Sequence, residues 1–350
     1  MKLLNEDGSP KELVNGKYPA KVLNPVHIDL DGVSSAICVK NTFTDVTAVH
    51  MGYGYGIAKW YKSIKQFPHL LNDYELIIMT DLSMDEKTFA EFAAILAMAN
   101  YEGEFIFLDH HETSKPLNNP DANMFVDITE CGASLAQKYL TNTFGVDLSH
   151  LDELIKYTKD YDLWVHKYKE SKHVNYILDK YLSGGVNKGC ERFVHKYMNG
   201  FSYKNITKDE ATVIVEKLEA NEKVWSELDI IPFDGTSIAM CMLDGSFVND
   251  MSDRILNDPE LGVDVIIVFY PDKVGGSIRA SKRVPQINLG EFLGIIGNDN
   301  IAGGGHALAA GYKLSKLTYK MDVGQKLLIA QPEIQRMVDF LSKAYTTLNK

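Results

Sequence analysis

A buried strand that runs straight into three polar ligands constrains this chain more than any other stretch. Phe105-Ile106-Phe107-Leu108 is continuously apolar, and Asp109-His110-His111 follows without a break. Such a run suits a strand covered on both faces, as in a parallel sheet with helices on each side. In open sheets of that kind, ligands bind in the crevice beyond the carboxyl ends of the strands. Other strands should then end in similar chemistry, and two do. Val26-His27-Ile28-Asp29-Leu30-Asp31-Gly32 closes the first core strand. Its alternation is expected to place His27, Asp29 and Asp31 on one side of a strand end, with Gly32 turning the backbone into a helix. Glu75 to Met79 runs into Thr80-Asp81-Leu82-Ser83, with Ser83 expected to cap the next helix in a capping box with Glu86. A further helix, from Leu148 to about Lys159, leads into Asp160-Tyr161-Asp162, which brings another acid toward the same crevice.

Strands alternating with helices imply an α/β fold with a doubly wound, mainly parallel sheet. Its crevice would gather these side chains from distant positions. Like charges raise each other's pKa, so packed carboxylates need compensation, and divalent cations supply it. Two imidazoles with several carboxylates suit Mn²⁺ better than zinc or calcium. The length of 350 residues leaves room for two cores. A formal net charge of -11 makes long duplex nucleic acid a poor partner, although bound cations would mask part of it. Cys38, Cys131, Cys190 and Cys241 form no CxxC pair, which points to a reducing, cytoplasmic setting. Met1 to Tyr18 lacks the apolar segment of a leader, and no run is long enough to span a bilayer.

Glycine-rich Gly52-Tyr53-Gly54-Tyr55-Gly56 lacks the Lys-Ser/Thr partner of a phosphate loop and reads as a mobile loop, with Tyr53 or Tyr55 as a face for a base. Thr207-Lys208-Asp209-Glu210 is a capping box opening a connector helix that runs to about Leu228. Beyond it, strands at Ser237 to Leu243 and Val263 to Tyr270 bracket a helix from Asn249 to Leu256. Gly275 to Ser281 reads as a strand with an outward Arg279, and Lys282 and Arg283 extend a basic edge. Gly303-Gly304-Gly305-His306 is expected to open a small helix from Ala307 to Gly311, whose N–H groups would seat a phosphate beside Arg279 and His306. The expected organisation is a catalytic domain over 1–200, a helical connector over 201–230 and a smaller α/β domain over 231–350.

Taken in order, HIDLDG, TDLS, LDHH and the DYD region, then SIRAS and GGGHALAAG, resemble the DHH/DHHA1 phosphoesterases over about residues 22 to 315. That family includes RecJ-type single-strand exonucleases, nanoRNase/pAp phosphatases and cyclic-dinucleotide phosphodiesterases. The resemblance implies an N-terminal DHH catalytic domain and a substrate-gripping DHHA1 domain. It also implies two divalent cations, with Mn²⁺ foremost and Mg²⁺ or Co²⁺ as alternatives. His27, Asp29 and Asp81 would hold one. Asp31, Asp81, His110 and the fourth-motif acid would hold the other. Asp160 is favoured for that acid because the family's residue directly follows a helix end, with Asp162 as the alternative. Asp109 would orient the cluster and His111 would meet the phosphoryl group, while Arg279, Gly303, Gly304, Gly305 and His306 would bind substrate. The HxDxD spacing departs from the nanoRNase pattern and lies closer to the RecJ register.

The expected activity is hydrolysis of short oligonucleotides or small nucleotides by two-metal activation of water. One alternative is a RecJ-like single-strand exonuclease, and the other a nucleotide-binding regulator that has lost catalysis. Short single strands or small nucleotides are the expected partners, without a membrane, and the family pattern admits a homodimer.

Overall fold

Strands buried on both faces build the first part of the protein. The computed structural model describes residues 11–53, 55–297 and 300–348. They fall into two compact units, one through Val215 and the other from Glu216 onward.

In the first unit, β1 (Tyr18–His27), α1 (Leu30–Thr42), β2 (Phe43–Met51), α2 (Tyr55–Gln66), β3 (Leu76–Thr80), α3 (Glu86–Met98), β4 (Glu104–Asp109) and β5 (Met124–Val126) alternate along the chain. The short β5 was not expected from sequence. The strands form one parallel sheet in the order β2-β1-β3-β4-β5. Period-two alternation divides their side chains between two cores. Leu76, Ile78, Ile106 and Leu108 pack into one core, while Ile77, Met79 and Phe107 pack into the other. The first core is completed by α1 together with α4 (Gly132–Phe144), α5 (Asp152–Asp162), α6 (Lys169–Leu182) and α7 (Val186–Tyr197). This is the doubly wound α/β arrangement. Strand order reverses between β1 and β3, which makes the carboxyl ends of these two strands the switch point.

Two local expectations change. The HxDxD stretch is not a strand end with three aligned side chains. His27 closes β1, Asp29 is the N-cap of α1 and Asp31 lies in its first turn. The Asp29 side chain accepts the Gly32 N–H at 3.0 Å, so capping starts the helix earlier than alternation suggests. Gly32 is needed because a Cβ there would lie 2.4 Å from the His27 carbonyl oxygen. At α3 the cap is Asp85, which accepts the Thr88 N–H at 2.7 Å, rather than Ser83.

The helix α8 (Lys208–Glu227) carries the boundary between the units, and its capping box forms as the sequence indicates. The second unit contains β6 (Ile231–Pro232), β7 (Ile238–Met242), α9 (Val248–Asn257), β8 (Val265–Phe269), β9 (Gly275–Ala280), α10 (Leu289–Ile296), β10 (Ile301–Gly305), β11 (Ala309–Leu314) and α11 (Val323–Leu348). Its sheet has the order β10-β11-β9-β8-β7-β6, antiparallel except between β7 and β8. The glycine run is therefore the strand β10 of a hairpin with β11, and not the start of a helix. A Cβ at Gly303 would lie 2.4 Å from the Gly311 carbonyl oxygen, and Gly305 has φ +149°. Those glycines serve close strand approach. The expected basic edge is also corrected, because β9 pairs with both β8 and β11 and is interior to the sheet.

Glu130, just before α4, illustrates how the helices of the first unit are tied together. Its carboxylate accepts hydrogen bonds from Ser134 Oγ at 2.6 Å, Lys138 Nζ at 2.5 Å and Lys159 Nζ at 2.7 Å. Burial opposes ionisation, but these donors together lower its pKa to about 2. The stabilisation is thus fully present above the ordinary Glu range and fades as pH falls toward 2. Glu130→Gln is expected to cost roughly 1–2 kcal/mol at neutral pH. Denaturant titrations of the two proteins should converge at the acidic end of that window, and a gap that does not change with pH would count against the network.

Candidate metal centre

The switch point brings three loops together. Asp81 follows β3 and adopts the left-handed region at φ +53°, which Asp tolerates better than most residues. Its backbone N–H donates to the Leu108 carbonyl at 3.0 Å, anchoring that turn to β4. The Asp81 side chain is held at the centre of the cluster, 1% exposed.

Two three-residue sets each present ligand atoms within 4.8 Å of one another: His27, Asp29 and Asp81 in one, and Asp31, His110 and Asp162 in the other. A further set of the same tightness joins Asp81, Asp109, His110 and His111. His110 Nε2 lies 3.3 Å from Asp31 Oδ2, 3.3 Å from Asp81 Oδ1 and 3.6 Å from Asp162 Oδ2. His27 Nδ1 is 2.8 Å from Asp29 Oδ2.

Asp31 is fixed from outside the cluster. Its two carboxylate oxygens accept the N–H groups of Gly132 at 2.5 Å and Ala133 at 2.8 Å, at the N-terminus of α4. The helix dipole and these unsatisfied donors favour the anion. A Cβ on Gly132 would stand 2.8 Å from both Asp31 Oδ2 and Asp81 Cβ, so only glycine fits. Nothing local in the sequence links Gly132 to an acid so far away in the chain.

The electrostatics follow from the crowding. Burial, with Asp31 and Asp29 close by, pushes the Asp81 and Asp162 carboxyls well above the usual carboxylate range. Burial opposes a charge on His110, yet Asp162, Asp31 and Asp81 raise its pKa well above that of a free imidazole. Asp109 behaves differently. Burial disfavours its charge, but His111 and His110 hold its pKa down to about 2. Its Oδ1 accepts from His111 Nδ1 at 2.8 Å.

Asp81 Oδ2 and Asp162 Oδ2 are buried without a hydrogen-bond partner, which fits a site built to meet a cation rather than another protein group. Carboxylates with imidazole suit a hard-to-borderline divalent ion. Two divalent cations therefore fit the donors present.

The fourth-motif acids separate clearly, and the preference for Asp160 is corrected. The Asp160 carboxylate accepts the N–H groups of Lys167 at 2.9 Å and Tyr168 at 3.1 Å. Its carbonyl accepts from Val165 and His166, closing a loop in which Trp164 and His166 hold left-handed backbone at φ +56° and +51°. Asp162, two residues on, is the acid that reaches His110. The helix α5 runs to Asp162 itself, so the true helix end is later than the sequence pattern indicates.

The remaining expected residues lie in the second unit. Arg279 on β9 sits opposite Ala309 of β11. Its guanidinium donates to Asn249 Oδ1 at 2.9 Å, to the Ile278 carbonyl at 3.0 Å and to Ser277 Oγ. Gly303, Gly304 and Gly305 lie on β10, and His306 opens the turn into β11, its N–H donating to the Ala309 carbonyl at 2.8 Å. Arg283, part of the expected basic edge, pairs instead with Asp264 at 3.0 Å.

No protein-family profile matches the chain. It is similar to a 3′,5′-cyclic-nucleotide phosphodiesterase of Helicobacter pylori, 20% identical over 202 residues, covering 55% of this chain and 55% of that protein. It is also similar to the oligoribonuclease NrnB of Bacillus subtilis, 21% identical over 315 residues, covering 87% of this chain and 75% of that protein. The chain thus spans about half the length of the first relative and three quarters of the second. Among solved structures, RecJ of Thermus thermophilus in complex with Mn²⁺ aligns with a TM-score of 0.51 at 15% identity, over 89% of this chain and 52% of that one. An exonuclease RecJ bound to manganese aligns with a TM-score of 0.50 at 15% identity, over 84% of this chain and 86% of that one. The two sequence likenesses agree with the resemblance to the DHH/DHHA1 phosphoesterases read from the motifs. The α/β architecture agrees with the fold of these RecJ structures. Among the described residues, no helix is long and apolar enough to cross a membrane.

Asp160 holds backbone rather than joining the cluster, so its loss should be felt as stability. Asp160→Ala is expected to lower the unfolding free energy by about 2 kcal/mol, measured by urea denaturation without added metal. A midpoint equal to wild type would remove its loop-holding role.

Proposed function

We propose that this protein is a metal-dependent phosphodiesterase acting on short oligonucleotides or small nucleotides. The observation that carries the reading is the pair of ligand sets, His27/Asp29/Asp81 and Asp31/His110/Asp162, gathered at the sheet's switch point. His27, Asp29 and Asp81 would hold one divalent cation, and Asp31, His110 and Asp162 the other, with Asp81 placed between the two sets. When bound, such cations lower the pKa of a water and neutralise charge on phosphoryl oxygens. Mn²⁺ is the ion we favour, with Mg²⁺ or Co²⁺ as substitutes.

The chain's own residues do the rest. Asp31, fixed by the Gly132 and Ala133 N–H groups, keeps its ligand geometry without reorganisation. Asp109 holds His111 by Nδ1, and His111 is read as the side chain that would meet the phosphoryl group or pass a proton to the leaving oxygen. In the second unit, Arg279 and the hairpin of Gly303, Gly304, Gly305 and His306 are read as the grip on a neighbouring phosphate or terminal nucleotide. We read the first unit as catalytic and the second as substrate-binding.

Two observations support short substrates. The oligoribonuclease relative aligns over 87% of this chain. The net charge of -11 offers little for long single-strand tracking, which depends on a basic groove with aromatics.

The test is hydrolysis with Mn²⁺ of a dinucleotide, a five-mer, a long single strand, pAp and a cyclic dinucleotide. Preference for the shortest molecules is expected, and processive loss of the long strand would move the protein to the RecJ side. Asp81→Asn should lower kcat by at least about 10³-fold and bind fewer than two Mn²⁺ per chain in calorimetry. Full turnover by that variant after chelation would overturn the two-metal reading.

A further inference from the structure

We propose that a lysine-and-tyrosine face at the junction of α5 and α6 holds backbone phosphates of a short single strand beside the metal centre. That the strand is a substrate rests on the function proposed above; that the face binds phosphates does not. Lys156 on α5 and Lys167 in the turn before α6 are both exposed. Among the described residues neither ammonium is paired with a carboxylate. Neighbouring lysines of the same helical layer are spent differently, Lys138 and Lys159 on Glu130 and Lys40 on Glu191. Lys156 and Lys167 lie over aromatic rings instead. Lys156 Nζ stands 4.3 Å from the ring centre of Tyr157 and 4.6 Å from that of Tyr168, and Lys167 Nζ stands 5.3 Å from that of Tyr168. Exposed Lys169 and Lys204 add to the local positive charge. Two acids adjoin the face, and both turn to Tyr203. Glu153 accepts its N–H at 3.1 Å, while burial, with Glu170 close by, pushes its phenol up.

The rings prepare the lysines for an anion. A cation over an aromatic face is held by roughly 0.5–1 kcal/mol at an exposed site, and its outward N–H donors stay available. A free lysine gives up about 2 kcal/mol of rotamer entropy when it is ordered, and a side chain already resting on a ring has lost part of that before the phosphate arrives. The rings are themselves fixed. Tyr157 meets Tyr168 and Tyr203 edge-on, with centroids 6.0 and 6.4 Å apart, and the Tyr203 hydroxyl lies 2.6 Å from His173 Nδ1. The backbone N–H groups of Lys167 and Tyr168 are held by the Asp160 carboxylate, so the face is tied to the helix that ends in Asp162. Lys156 precedes Asp162 by about 9 Å of helix rise. Two fixed charges suit one or two phosphates next to the reacting one. That lengthens the footprint on a short strand and makes no track for a long one.

The test is fluorescence anisotropy across a salt series, with a labelled RNA five-mer and a labelled dinucleotide, on Asp81→Asn protein in Mn²⁺ so that turnover is slow. Adding Lys156→Ala and Lys167→Ala together is expected to weaken five-mer binding about 10-fold. The slope of log K against log salt should flatten by about 1.4, roughly 0.7 for each phosphate contact on a single strand. Dinucleotide affinity should move less than about twofold. Lys156→Arg with Lys167→Arg should restore the slope. Tyr168→Leu keeps both charges and removes the ring they share, so five-mer affinity should fall about threefold at an unchanged slope. Both lysines are exposed, so the urea midpoint of the double-alanine variant should match its parent. An unchanged five-mer Kd and slope in that variant would overturn the proposal. Equal losses for the two probes would overturn it too, since they mark a general field at the metal centre and not a contact beyond it. If wild type hydrolyses nothing while the double-alanine variant still loses five-mer affinity, only the functional reading fails. If wild type hydrolyses both probes and the double-alanine variant binds both unchanged, only the face fails.

Discussion

Mutual repulsion among buried carboxylates is the constraint on which the rest of the first unit depends. Asp29, Asp31, Asp81 and Asp162 converge where two of them, Asp31 and Asp81, are almost completely buried. A fold can tolerate that only by neutralising the charges or spreading them over fixed dipoles. Both devices are present. Asp31 is taken up by the start of α4, and Asp29 is drawn into the α1 cap and the His27 pair. Asp81 and Asp162 are left with raised pKa values and a buried oxygen each that has no hydrogen-bond partner. The stored electrostatic cost is what a divalent ion would relieve, so affinity for the ion and apparent stability of the fold become linked quantities.

Much of this was legible in the chain. Apolar runs that end in acids and histidines identified β1, β3 and β4 and the crevice they share, because such strands have no other economical explanation. What escaped was set by tertiary contacts. Asp162 and Asp160 differ only in which way the end of α5 turns, and that is decided by two N–H groups at Lys167 and Tyr168. The need for glycine at position 132 comes from Asp81 and Asp31, which no local pattern connects to it. Tyr53 was noticed as an aromatic face, whereas its hydroxyl is what engages the cluster.

The glycine run of the second unit shows the opposite failure, a strong local signal with the wrong partner. Consecutive glycines serve a helix N-terminus and a tightly packed hairpin equally well. The choice is made by β9, whose own Gly275 requires the same intimacy from the Tyr312 backbone of β11. In that sheet Arg279 becomes an interior-strand residue braced by Asn249, so any ligand it meets finds a guanidinium of fixed aim rather than a floating charge.

The seat of Asp31 also has a consequence in time. During synthesis, His27, Asp29, Asp31, Asp81, His110 and His111 leave the ribosome before Gly132 and Ala133 do. Until α4 has formed and docked, Asp31 lacks the Gly132 and Ala133 N–H donors that hold it. The residues of the His27/Asp29/Asp81 set are therefore all made well before Asp162 completes the Asp31/His110/Asp162 set, so the two halves of the cluster are finished at different stages of synthesis.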